Sequence, residues 1–205
     1  DAGVTSLKIE GRMKSPEYVA CVSRIYRKYI DLAYSNKPYI IDEVDKKALL
    51  LTFNRGGFSN GHMQENKNLI FKEKPNNMGL FLGTIEKYDS RKGLITLKLN
   101  ETINLGDSIA LQKEQNLYTI SELMVNGINK KLCTPGELIT FGRMKGNINI
   151  GDKVYKIVDK FLFTDYKQSY LPTSNIKKIP LIVQINLSLN KPVKLNVKSG
   201  SNIEI

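Results

Sequence analysis

Histidine, cysteine and tryptophan are scarce in this sequence. Its 205 residues include one histidine, two cysteines and no tryptophan. The cysteines, Cys21 and Cys133, form no CxxC pair and have no histidine at metal-ligand spacing, so the sequence predicts no metal site in this chain. We expect both thiols to stay unpaired in a reducing cytoplasm, with Cys21 in the core of a helical segment.

Long apolar runs are also absent. No run approaches the roughly 18 residues that a membrane-spanning helix needs, and no signal peptide opens the sequence. Its hydrophobic content of 41% and charged content of 25% are ordinary for a globular protein. We therefore expect a cytoplasmic protein without a membrane partner.

Acidic residues are few relative to basic ones. The chain has 31 lysines and arginines against 20 acids, which gives a formal net charge of +11. A phosphate-rich partner would account for this excess. The other explanation is a lysine-rich proteome in which scattered lysines solvate the surface, and the lack of any dense basic run favours it.

The most informative stretch is SLKIEGRMKSPEYV, Ser6 to Val19. Apolar and polar residues alternate from Ser6 to Glu10, which predicts a strand. Gly11 permits a turn, and Ser15 followed by Pro16 is typical of a helix start. Charged side chains then cluster at the carboxyl end of the strand, where α/β barrels place their chemistry: Lys8, Glu10, Arg12 and Lys14. The alternative is a charged surface loop with internal ion pairs.

A second stretch, FNRGGFSNG, runs from Phe53 to Gly61 and reads as a glycine-rich loop. Arg55 lies between Asn54 and Gly56, so its guanidinium is held on a backbone that can approach a site closely. It could bind a carboxylate or phosphate bidentately. A structural role, in which Arg55 ties the loop to neighbouring carbonyls, is equally consistent with the sequence.

These two stretches resemble peptidase family U32, the collagenase-like peptidases. The family carries a near-identical "SLKIEGRMKS-eYva" run and a later "FNRGFstGy" segment, and the resemblance is strong over residues 1 to about 70. It implies a hydrolase with a catalytic α/β barrel followed by β modules. It further implies catalytic roles for Lys8, Glu10 and Arg12, in which Glu10 is a general base or orients water, and substrate-binding roles for Lys14 and Arg55.

The resemblance also leaves an alternative open. Several U32 relatives use cysteines to hold an iron–sulfur cluster and act in tRNA hydroxylation or quinone synthesis. This chain lacks those cysteines, so we expect no cofactor within it, and an iron–sulfur cluster or another metal of the parent protein would be bound by residues upstream. The partners implied are a peptide or protein substrate, or tRNA.

Apolar spacing predicts two helices and then a β-rich region. The helices run from Pro16 to about Ser35 and from Glu43 to about Thr52, the second capped by Asp42. A polar segment from Glu65 to Asn77 reads as a domain boundary. Short β-like runs follow: Gly79–Tyr88, Gly93–Leu99, Ser108–Gln112, Tyr118–Val125, Glu137–Phe141 and Lys153–Val158.

The predicted fold class is therefore α+β in three parts. Residues 1–70 form a βαα remnant of a TIM-like α/β barrel, and residues 78–160 form a small antiparallel β-barrel that resembles the second domain of translation elongation factors. The stretch from Phe161 to Ser174 reads as an extended linker, and residues 175–205 as the opening β-hairpin of a truncated third β module. The sequence reads as a fragment, and its exposed helix stripe predicts a homo-oligomer.

This organisation predicts that the chain alone is not an active peptidase, because an α/β-barrel site is assembled from several strand ends. The accessory β-barrel would bind substrate for the rest of the protein. Purified chain should leave a fluorogenic peptide intact in an overnight assay. Hydrolysis that survives Glu10→Ala would contradict both the inactivity and the assignment of Glu10.

Overall fold

The structure, a computed structural model, describes residues 3–35, 37–58, 71, 76–113, 116–171 and 180–199. The chain separates into two compact units, Asp1–Tyr170 and Leu171–Ile205. Within its described residues the first unit combines three helices with a curled antiparallel sheet, and the second contains a β-hairpin.

Two helices precede the sheet, and both confirm the sequence prediction. Helix α1 spans Pro16–Tyr34 and helix α2 spans Glu43–Thr52. Ser15 and Asp42 each accept a hydrogen bond from a backbone N–H of the first turn, which satisfies donors that have no partner inside the helix. Across the described ranges, no helix is both long enough and apolar enough to cross a membrane.

The described part of the first unit contains ten strands, all in antiparallel pairs. They are β1 Leu80–Asp89, β2 Leu94–Lys98, β3 Ile103–Asn104, β4 Ser108–Leu111, β5 Leu117–Thr119, β6 Leu123–Val125, β7 Ile128–Asn129, β8 Leu132–Cys133, β9 Leu138–Phe141 and β10 Lys153–Val158. Eight of them hydrogen-bond in the order β5-β4-β10-β1-β2-β9-β6-β7, and β3 pairs with β8. The predicted antiparallel architecture is confirmed as a half-barrel.

The sheet curls around an apolar core. Strand β2 shows the alternation expected of a strand with one solvated face. Its inward-facing side chains, and that of the next residue, are buried: Ile95, Leu97 and Leu99. Burying each such side chain stabilises the fold by roughly 1.5–3 kcal/mol. Cys133 lies in this core and Cys21 in a smaller one between the helices, and both thiols are unpaired, as predicted.

Two turns of the sheet repeat one device. The N–H of Asn104 donates to the Asp107 carboxylate at 2.8 Å, and the N–H of Asn149 donates to the Asp152 carboxylate at 2.9 Å. In each turn the aspartate side chain thus bonds to the backbone of the residue three positions earlier and closes the turn. The sequence repeats Leu105-Gly106-Asp107 as Ile150-Gly151-Asp152, and the repeat marks these two structural turns of the sheet.

A buried charge network extends the first of these turns. The Lys156 ammonium lies 3.1 Å from Asp107 Oδ2 and 2.6 Å from Asp159 Oδ2, and it donates to the Thr102 carbonyl at 3.0 Å. Asp107 is 0% exposed and Lys156 is 4% exposed. Because burial removes both charges from water, each depends on the other for compensation.

Helix α3, Lys160–Gln168, corrects the prediction of an extended linker from Phe161 to Ser174. Asp159 caps this helix by accepting a hydrogen bond from the Leu162 N–H at 3.0 Å. Tyr166 is buried against α1. The sequence held the signal, since Leu162 and Tyr166 lie four residues apart on one helical face.

The predicted strand from Ser6 to Glu10 is wrong as well. Residues 3–10 form no regular element, and Leu7 and Ile9 are 51% and 39% exposed. An alternating sequence gives the side-chain pattern of a strand, but a strand also needs a neighbouring strand for its backbone hydrogen bonds. No described strand pairs with this segment. The assignment to a TIM-like barrel therefore stays a prediction.

The second unit contains the predicted hairpin. Strands β11, Leu181–Asn186, and β12, Lys194–Ser199, pair antiparallel from Leu181 opposite Ser199 to Asn186 opposite Lys194. The division at 1–70, 78–160 and 175–205 stays a prediction. Most of its proposed boundary from Glu65 to Asn77 lies outside the described residues, as do 175–179 and 200–205.

The network around Lys156 predicts an unequal response to lysine removal. Lys156→Met should lower the free energy of unfolding by roughly 3–5 kcal/mol, because it leaves buried Asp107 without its cation. The matched control is Lys46→Met, since Lys46 pairs with Glu43 but both side chains are exposed, at 42% and 72%. This control should cost less than about 1 kcal/mol. Urea unfolding measures both, and equal losses would contradict the prediction.

Candidate functional site

The two sequence motifs meet at the ring of Phe53. The Lys14 ammonium lies 3.0 Å from the ring centroid, and the Arg55 guanidinium carbon lies 5.5 Å from it. Tyr18 packs edge-to-face against the same ring, with centroids 6.3 Å apart. The structure therefore brings together the two predicted substrate-binding residues, Lys14 and Arg55.

A tight turn delivers Lys14 to this ring. The Lys14 N–H donates to the Gly11 carbonyl at 3.0 Å, and Met13 adopts a positive φ of 62° between them. A Cβ at Gly11 would lie 2.9 Å from Val19 Cγ2 of α1. The turn can pack on the helix only because Gly11 lacks a side chain.

Buried Asn54 fixes the backbone between Phe53 and Arg55. Its amide nitrogen donates to the Leu50 carbonyl at 2.6 Å and to the Gly79 carbonyl at 2.9 Å. Its side-chain oxygen accepts the Gly57 N–H at 3.1 Å. These bonds join the end of α2 to the start of β1 and hold Arg55 beside the ring, as a positioning residue does.

Asn77 completes this anchor from the other side. Its side-chain oxygen accepts the Asn54 N–H at 2.8 Å, and its amide donates to the Leu51 carbonyl at 2.8 Å. Sequence reasoning missed both asparagines. The available signal was an asparagine between an aromatic residue and Arg-Gly-Gly, where an amide can bond several loop carbonyls at once.

The site carries an excess of positive charge. Burial, and then the charge of Arg55, hold the pKa of Lys14 below its ordinary value. Neither Lys14 nor Arg55 forms an ion pair with any residue that the structure describes. Two neighbouring cations repel each other, and an anion bound between them would remove that cost.

The three predicted catalytic residues stand apart from this arrangement. Lys8 and Glu10 form an ion pair of 2.9 Å with side chains 84% and 72% exposed. Arg12 is exposed in the turn that follows. No described contact links them to Phe53, so their catalytic roles stay predictions. The end of the second motif, Ser59 to Gly61, lies outside the described residues.

Within the described residues, no group of three or more histidine, cysteine, aspartate or glutamate side chains is arranged to hold a metal ion. Lys14 and Arg55 are instead suited to bind an anion next to the aromatic ring of Phe53.

The site lies within a stretch that matches a known family. Residues 1–71 match the sequence model of peptidase family U32. Over these residues the match confirms the resemblance seen in the two motifs. Both Lys14 and Arg55 fall inside the match.

Relatives within the family have different names. A "Collagenase" of Porphyromonas gingivalis is 27% identical over 165 residues, which cover 76% of this chain and 39% of that protein. The "tRNA hydroxylation protein P" of Haemophilus influenzae is 32% identical over 133 residues, 62% of this chain and 28% of the relative. The "tRNA hydroxylation protein P1" of Bacillus subtilis is 34% identical over 116 residues, 53% and 27%. The chain thus spans well under half the length of these relatives.

One solved structure is also similar in part. It is the C-terminal domain of a Geobacillus thermoleovorans protein assigned to the U32 peptidases. The two share 18% sequence identity with a TM-score of 0.35, over 38% of this chain and 91% of that domain.

The closeness of the two cations at Phe53 predicts how the pKa of Lys14 responds when Arg55 is replaced. Arg55→Gln should raise the pKa of Lys14, because a like charge beside the ammonium disappears, although burial keeps the pKa below its ordinary value. Arg12→Gln is the control and should leave this pKa unchanged. NMR titration of the lysine side-chain ε-carbons measures the shift. An unchanged Lys14 pKa in Arg55→Gln would contradict the proximity of the two cations.

Proposed function

We propose that this chain is an RNA-binding portion of a U32-family protein that acts in tRNA hydroxylation. The observation that carries the proposal is the convergence of Lys14 and Arg55 on Phe53 without an acidic partner among the described residues. An RNA phosphate supplies the anion that such a pair favours. The Arg55 fork binds two phosphate oxygens, and Lys14 adds a point charge beside it.

The aromatic rings add a second kind of contact. Tyr18 packs at the edge of Phe53, so a nucleotide whose phosphate sits between the cations has an aromatic surface next to it. Stacking of a base on such a ring is worth roughly 1–3 kcal/mol and tolerates any sequence. The pair of cations would hold the backbone, and Tyr18 would receive the base.

The overall charge supports the same partner. The net charge of +11 favours association with a polyanion over a long range. The relatives named for tRNA hydroxylation are the more similar ones per aligned residue, at 32% and 34% identity. Such a protein would act in the cytoplasm, and an iron–sulfur cluster or other metal would be held by residues upstream of this chain.

The second candidate is the substrate-binding part of a U32 peptidase. It is favoured by the collagenase-named relative, whose match covers 76% of the chain and includes the sheet. In that case Lys14 and Arg55 bind a carboxylate of the peptide, Glu10 acts as general base, and Lys8 and Arg12 assist it. A homo-oligomer is compatible with either function.

A binding titration tests the first proposal. The chain should bind unmodified tRNA with an affinity that falls steeply with salt. Lys14→Gln and Arg55→Gln should each weaken binding roughly tenfold, since a hydrogen bond to a charged group is worth about 1.5 kcal/mol or more. Each should also reduce the log–log salt slope by about one. Fluorescence anisotropy with labelled tRNA measures both quantities.

The matched control is Lys37→Gln, which removes one exposed charge beyond the far end of α1. That helix has 19 residues, so the control lies about 30 Å from Lys14 along its axis. Lys37→Gln should change neither the affinity nor the slope by more than the error of the titration. Equal losses in all three variants would show diffuse attraction without a site at Phe53, and an acidic peptide bound more tightly than tRNA would favour the peptidase.

A further inference from the structure

A second basic surface lies on the sheet and includes none of the predicted catalytic or substrate-binding residues. It is a groove of about 360 Å³ whose walls include Lys130, Lys131 and Arg143. Glu122 is the acid that lines it. We call it the edge groove, because β7, which ends just before Lys130, is the last strand in the sheet order.

The backbone of the edge groove is fixed by hydrogen bonds. The Lys130 N–H donates to the Leu123 carbonyl at 2.8 Å, and the Lys131 carbonyl accepts the Leu105 N–H at 2.9 Å. Both lysines therefore start from an ordered main chain, although their side chains are exposed. Because the main chain is already ordered, less conformational entropy is lost when these side chains bind a ligand.

Arg143 reaches the groove from a strained position. Its φ is +68°, a conformation that a residue with a Cβ rarely adopts. The next residue, Met144, is buried and donates its N–H to the Gly93 carbonyl at 3.1 Å, which holds the kink in place. Strain of this kind persists only where the surroundings impose it, and it is concentrated at functional sites.

None of Lys130, Lys131 and Arg143 forms an ion pair with a residue in the described ranges, whereas other lysines of the sheet do. Lys113 and Lys156, for example, both pair with aspartates. Hydrogen bonds from Thr134 lower the pKa of the nearby Glu137 carboxyl, and the charge of Lys130 does contribute to this lowering. The edge groove thus presents three positive charges against one acid, together with the polar side chains of Ser121 and Asn129.

We infer that the edge groove binds the phosphate backbone of RNA. This inference rests on the proposed function and adds a second contact region to it. None of the described residues that line the groove is aromatic, so the contacts would be to phosphate and sugar, which position an RNA strand without reading its sequence. Ser121 and Asn129 supply the neutral hydrogen bonds that commonly accompany lysine and arginine at phosphates.

An edge strand also gains from lysines in another way, because charge at a sheet edge discourages pairing with another chain. This role needs no ligand and requires only that the charges point into water. The two explanations differ in what charge removal changes. Loss of protection raises self-association, whereas loss of a phosphate site lowers RNA affinity and its salt dependence.

The test compares two triple variants of the full chain. The groove variant is Lys130→Gln, Lys131→Gln and Arg143→Asn, with asparagine chosen because it tolerates a positive φ. The control variant is Lys37→Gln, Lys98→Gln and Lys153→Gln, three exposed lysines that do not line the groove. Both lower the net charge by the same amount, and circular dichroism checks that both remain folded.

The groove variant should reduce the salt slope of tRNA binding by about two to three, at roughly 0.7–0.9 per phosphate contact, while the control variant keeps the wild-type slope. Equal slopes in the two variants, with wild-type binding intact, would overturn the edge groove and leave the proposed function standing. So would increased self-association of the groove variant at unchanged affinity.

A second readout separates this inference from the proposed function. In a ¹⁵N NMR titration with tripolyphosphate, the amide resonances of Lys130 and Lys131 should change chemical shift in the wild type. The amide resonances at the same two positions should not change in the groove variant. If the wild type fails to bind tRNA, the proposed function fails, and shifts at these amides would still identify a phosphate site. Absence of such shifts would overturn the groove itself.

Discussion

The buried charge network around Lys156 is the interaction on which the first unit depends. Its ammonium joins Asp107, in a turn of the sheet, to Asp159, the cap of α3. Asp107 also accepts the Lys160 N–H at 2.9 Å, so the helix starts directly on the turn. Since a buried charge without a partner is costly, the sheet turn and the helix start must form together.

The position of α3 in turn sets the position of α1. Tyr166 of α3 is buried beside Cys21 of α1, and Arg24 forms an ion pair with Asp165. Burial first, and then the hydrogen bond with the Cys21 thiol, raise the pKa of Tyr166 well above its ordinary value, so the phenol stays neutral in this core. Helix α1 begins two residues after Lys14, and the network therefore acts through α3 on the place where the two motifs meet.

The sequence predicted helices well where a capping residue marks the start, and strands well where apolar and polar residues alternate. Pro16 and Asp42 marked the helix starts, and the Gly-Asp pairs marked the turns of the sheet. The failures were at places where a distant partner decides. Ser6 to Glu10 alternates but has no described neighbour to pair with. Helix α3 carries the local signal of Leu162 and Tyr166, but its contacts with Lys156 and α1 cannot be read from a local pattern.

The candidate site was predicted in the same uneven way. Lys14 and Arg55 were singled out separately, but their meeting at Phe53 depends on the folding of two loops onto each other. Asn54 and Asn77 fix the loop that carries Arg55, by a hydrogen bond between residues 23 positions apart. Sequence spacing does not reveal such contacts, because a side-chain amide can bond to any carbonyl within reach.

The two motifs share positive charge beside an aromatic ring, and on this feature rests the proposal that RNA binds there. Ultraviolet cross-linking of tRNA to the chain, read out by mass spectrometry, tests the proposal most directly. We expect cross-linked nucleotides on peptides that contain Tyr18 and Phe53, and their loss in the double variant Lys14→Gln, Arg55→Gln. Cross-links confined to the hairpin of β11 and β12, and unchanged in that variant, would contradict the account.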